Sequence, residues 1–82
     1  MNPRPEVARA LARHGIALAP GDTVETVRER LNDLYVDAVR AIRERQRAGE
    51  IAKADYAGHV ERLRDEYSLL ALPLELWEEP LA

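Results

Sequence analysis

Arg40, Arg43 and Arg47 stand three and four residues apart in RAIRERQR, the most basic stretch of the chain. On a helix that spacing puts the three guanidiniums on one side, where they can bind phosphate, nucleic acid or an acidic partner. Arginines near a helix C-terminus also complement the helix dipole, and Glu44 and Glu50 dilute the patch. An anion-binding role for Arg40, Arg43 and Arg47 is thus one expectation, and a solvated helix end is its competitor.

Glu29, Asp33 and Asp37 form an acidic column at intervals of four. Carboxylates so spaced can share a hard cation. Helical di-iron sites add Glu-x-x-His motifs, which the chain lacks, and the column faces away from the apolar stripe of its segment. A solvated surface is expected. His14 and His59 are the only histidines, and Asp55 lies four residues before His59. A metal site needs three or four ligands, so neither histidine finds enough company. Tyr35, Tyr56 and Tyr67 sit on helical apolar stripes and read as core rings with hydroxyls at the rim. Ser68 has no nucleophile elbow around it, and no phosphate-binding glycine loop occurs. No catalytic residue, cofactor or metal is expected.

The chain has 82 residues and no cysteine. So small a core is marginal, and without disulfides or thiolate metal sites association is the usual remaining aid. The lack of cysteine fits a reducing cytosol, and a cytoplasmic location is expected. With 46% hydrophobic and 33% charged residues in periodic order, the sequence is not that of a disordered chain. No apolar run approaches the ~18 residues of a membrane span, and MNPRPEVARALARHG holds no apolar leader core. The net charge of −3 lacks the footprint of a nucleic-acid binder. Cys, Met, Asn and Gln are all scarce, one trait of thermophile proteins, although arginine- and alanine-rich coding produces the same bias.

Three helices must position these groups. In NPRPEVARALARHGI, Asn2 reads as a cap and Pro3 as the first helical residue. Gly15 reads as a left-handed terminator with Ile16 folding back on Leu11. After the Pro20-Gly21 turn, Asp22 and Glu25 resemble a capping box. The second helix then carries Val24, Val27, Leu31, Leu34, Ala38 and Ala41 on one face, at alternating spacings of three and four. Val39 lies at the margin of that face. Val36 lies about 140° from Leu31 on the helical wheel and requires a second packing partner or exposure.

The third helix carries Tyr56, Val60, Leu63, Tyr67 and Leu70 on one face. Ile51 should clip onto Tyr56 as a hydrophobic staple, though Ala52 is a poor cap. With Gly49 centring the reversal, antiparallel packing pairs Ile42 with Tyr56, Ala38 with Val60, Tyr35 with Leu63 and Leu31 with Tyr67. The tail LPLELWEEPLA is apolar and must dock on its own core or on a partner.

The expected fold is all-α: a short N-terminal helix, a long antiparallel helical hairpin and a short C-terminal helical turn. One domain over residues 1–82 is expected, with helices at about 3–14, 23–48 and 53–71 and a turn at 73–79. The function that fits best is a non-enzymatic protein–protein interaction module, as a homo-oligomer with a dimer favoured, or as a subunit of a larger cytoplasmic assembly. Val36, Leu72, Leu74, Leu76, Trp77 and Leu81 are the candidate partner-binding residues. The alternatives are a small oligomeric helical enzyme with an Arg-lined site for an anionic metabolite and, behind it, a nucleic-acid-binding regulator. Neither nucleic acid nor a membrane is an expected partner.

Overall fold

The computed structural model describes residues 1–80, so Leu81 lies outside the described residues. The fold is all-α. Helix α1 spans Pro5–Arg13, α2 spans Val24–Arg47 and α3 spans Tyr56–Glu66, with 3₁₀ turns at Lys53–Asp55, Ser68–Ala71 and Leu74–Leu76. The chain divides into two compact units, residues 1–32 with those from 69 onward, and residues 33–68; α2 contributes to both.

In the first unit α1 begins at Pro5, two residues later than the expected Pro3. The physical reason is Pro5 itself: its ring disfavours the helical region for the preceding residue, and Arg4 is extended at φ −62°, ψ 151°. Pro3, thus freed from the helix, forms an antiparallel bridge with Glu78. The helix ends as expected. Gly15 takes φ +72°, the Ile16 N–H donates to the Leu11 carbonyl at 3.0 Å, and the Gly15 N–H donates to Ala12 at 3.0 Å. This is the Schellman pattern, which satisfies carbonyls the helix leaves open.

The start of α2 also differs from expectation. Thr23, not Asp22, is the cap: its N–H donates to Thr26 Oγ1 at 3.0 Å, and the Thr26 N–H donates to Thr23 Oγ1 at 3.2 Å. Two hydroxyls thus make the reciprocal box. The Asp22 carboxylate instead accepts the Ala19 N–H at 2.8 Å and pairs with Arg30.

Val7, Leu11, Val27, Leu31 and Trp77 in this unit are each at most 1% exposed, with Val24 and Leu69 also buried. Trp77 is the largest fully buried side chain. Its indole N–H donates to the Leu72 carbonyl at 3.0 Å, so burying the ring leaves no polar atom unsatisfied. The two ends of the chain hold it there. The Arg4 N–H donates to the Trp77 carbonyl at 2.9 Å, and the Glu79 N–H donates to Asn2 at 3.0 Å. Asn2 N–H donates to Glu78 Oε2 at 3.0 Å, and Arg4 Nε donates to the Glu78 carbonyl at 3.1 Å. The apolar tail therefore docks on its own chain.

The expected helix over 53–71 is broken. It opens as a 3₁₀ turn at Lys53–Asp55, where Ala52 supplies no side-chain cap, and leaves α geometry at Tyr67, φ −105° and ψ 30°. In the 3₁₀ turn that follows, residues three apart eclipse. Leu69 rather than Leu70 becomes the buried leucine.

In the second unit α2 ends in another Schellman cap. Gly49 has φ +82°, the Glu50 N–H donates to Arg45 at 2.9 Å and the Gly49 N–H donates to Gln46 at 3.1 Å. Ile51, just beyond, is buried. The chain then returns beside α2, and the Tyr35 and Tyr67 rings meet at 5.4 Å, tilted by 58°. This is the antiparallel hairpin. Tyr35 reaches Tyr67, one turn beyond the Leu63 paired with it by sequence.

Replacing Trp77 by Ala should cost about 3–5 kcal/mol, the range for buried aromatics, read from urea unfolding. The backbone bond to Ala19 and the Arg30 guanidinium hold the Asp22 carboxyl below its ordinary pKa. A lowered folded pKa stabilises above the unfolded value, and that stability is lost as pH falls through the folded pKa. Asp22→Asn should therefore flatten the acid limb of the stability profile and leave its alkaline limb unchanged, as measured by melting temperature against pH.

Candidate functional site

The buried apolar residues are unevenly shared. In the second unit Ile51 alone is buried among the described residues, and α3 buries none. The stripes that define the hairpin stop at half burial: Tyr35, Ala38 and Ile42 on α2, and Tyr56, Val60 and Leu63 on α3. Leu34 is 38% exposed.

On this unit lies a groove of about 270 Å³ lined by Tyr35, Val36, Val39, Arg40, Arg43 and Val60. Five of the six sit on α2 at intervals that helical winding turns to one side: Tyr35, Val36, Val39, Arg40 and Arg43. Val60 comes from α3, which the Gly49 cap and the tyrosine ring pair place alongside. The wall is apolar and the two guanidiniums stand at its rim. Both arginines are exposed, whereas Val36 and Val39 are half-buried.

The candidate residues from the sequence separate in the structure. Arg40 and Arg43 share the groove with Val36, but Arg47 does not line it and pairs with Glu44 at 3.0 Å. Trp77 is fully buried and offers a partner no surface. Leu72 and Leu74 are half-buried, and Leu76 is 40% exposed. Leu81 lies outside the described residues. Tyr35 and Val60, hairpin residues by sequence, and Val39, at the margin of the α2 face, also prove to be groove residues. The usable signal was Val36 and Val39, a valine pair three apart with arginines four further on.

The lining holds no carboxylate, imidazole, thiol or serine. Arginine stays protonated, so it cannot exchange a proton near neutral pH. The groove suits binding rather than acid–base chemistry. His59 is half-buried on α3 and makes no hydrogen bond to Asp55, and Ser68 is exposed in its 3₁₀ turn. Among the described residues no group of three His, Cys, Asp or Glu is placed to hold a metal ion, and no helix is long and apolar enough to cross a membrane.

Because Val36 is half-exposed in a single chain, Val36→Ala should change the unfolding free energy of dilute protein by about 1 kcal/mol or less, far below the effect at Trp77. Urea titration at low concentration measures the difference. Comparison with protein-family models, with curated proteins and with solved structures gave no match.

Proposed function

We propose that this chain is a small, non-enzymatic protein–protein interaction module that works by self-association through its helical hairpin, with a dimer as the basic form. The observation that carries this reading is the uneven burial. One unit closes its own core around Trp77, while the hairpin leaves two apolar stripes and a groove half covered. A small chain gains most from covering such surface with a partner. The absence of any cysteine fits work in a reducing cytoplasm.

A second reading rests on Arg40 and Arg43 at the groove rim: a site for a small anionic metabolite with an apolar body. Guanidiniums beside an apolar wall would recognise a carboxylate or phosphate head. A thermal-shift screen separates the readings, since a specific metabolite should raise the melting temperature with the logarithm of its concentration once that exceeds its Kd.

Light scattering across a dilution series tests self-association. The expected mass is that of two chains when concentrated, falling towards one chain on dilution, with Val36→Asp shifting the transition to higher concentration. A chain that stays monomeric at the highest soluble concentration overturns the reading.

A further inference from the structure

Resting on that self-association, we infer that the second copy docks antiparallel, α2 against α2, across a twofold axis close to residues 37 and 38. The geometry begins with the side of α2 that borders the groove. Asp33, Val36, Arg40 and Arg43 follow one another at spacings of three, four and three, with Val39 beside them. That is the spacing of a helix–helix seam. The seam runs along the groove that Val36, Val39, Arg40 and Arg43 line.

The charges along it are ordered at its two ends, with Asp33 at one and Arg40 and Arg43 at the other, and Asp37 lies between the valines beside Arg40. A parallel pairing would set arginine against arginine and aspartate against aspartate. An antiparallel pairing reverses one copy and sets Asp33 at one end beside the partner's basic end, while Asp37 falls at the axis level with the partner's Asp37 and keeps Arg40 of its own chain beside it. With the axis near residues 37 and 38, Val36 meets the partner's Val39 and Val39 meets the partner's Val36. Asp33 then stands beside the partner's Arg40 and Arg43. At 1.5 Å of rise per residue, Asp33 and Arg43 lie about 7–8 Å from the axis on opposite sides, so reversing one copy brings them level. A twofold pairing of this kind repeats every contact, since the same patch serves both copies.

The charged groups are available for this role. Asp33 and Arg43 are exposed, and neither forms an ion pair among the described residues. Arg40 reaches Asp37 only at 3.9 Å, with both side chains more than 70% exposed (73% and 72%), a contact of little worth in water. Facing charges of this kind set register and orientation more than affinity. The valines and the half-covered tyrosine supply the apolar contact.

Charge exchange tests the seam, with the dimer dissociation constant measured by sedimentation equilibrium. Asp33→Arg alone sets like charges together and should weaken the dimer about tenfold or more, and so should Arg40→Asp with Arg43→Asp. The triple variant Asp33→Arg, Arg40→Asp, Arg43→Asp restores opposite charges and should recover wild-type affinity within about threefold. Circular dichroism checks that helix content holds in each, as it should at exposed positions. Recovery in the triple variant supports the antiparallel seam. A wild-type dimer indifferent to all three variants overturns the seam and leaves self-association standing. A wild-type monomer overturns both.

Discussion

The closure of the chain around Trp77 is the constraint on which the first unit depends. The indole is fully buried with Val7, Leu11, Val27 and Leu31, and its one polar atom donates to Leu72. A ring of this size contributes more burial than any aliphatic neighbour. It can occupy the core only if the tail lies against the N-terminal segment. The extended Arg4, set by Pro5, supplies the N–H that donates to the Trp77 carbonyl, and Pro3 and Glu78 complete the bridge. A proline effect on one dihedral is thus coupled to the placement of the largest core side chain.

The hairpin over residues 33–68 by itself buries little, with Ile51 its one buried apolar side chain among the described residues. Its helices are held by the local Schellman cap at Gly49, by buried Ile51 and by the long-range Tyr35–Tyr67 pair. Between them they cover only part of the apolar stripes. Half-covered valines with charges ordered at the two ends suit a surface that meets another chain, because apolar contact gives affinity and charge order gives direction. The groove lining holds no carboxylate, imidazole, thiol or serine.

Local features were legible in the sequence, and non-local ones were not. Gly15 and Gly49 announced their helix ends because only a left-handed residue closes those carbonyls. The 3.6-residue periodicity of Val24, Val27 and Leu31, and of Tyr56, Val60 and Leu63, gave two helices that must pack. The start of α1 was misplaced because two prolines competed for the first helical position, and the restriction that Pro5 puts on Arg4 decides it. Asp22 looked a better cap than Thr23, yet the hydroxyl of Thr26 makes Thr23 half of a reciprocal pair. Whether the Trp77 tail would find its own chain or another depends on contacts some seventy residues apart, as between Arg4 and Trp77, which no local pattern encodes. The groove was half visible: Val36 stood off the core face, but the contribution of Val60 required the hairpin to be folded.

Amide hydrogen exchange, followed over a dilution series, tests most directly whether the hairpin is completed by a partner. Protection reports local opening, and a surface buried by association gains protection with concentration. Amides of α2 over residues 33–43 should lose protection as the protein is diluted, while those of α1, packed beside Trp77 within one chain, should keep theirs. Protection over 33–43 that is equal at all concentrations would contradict the account.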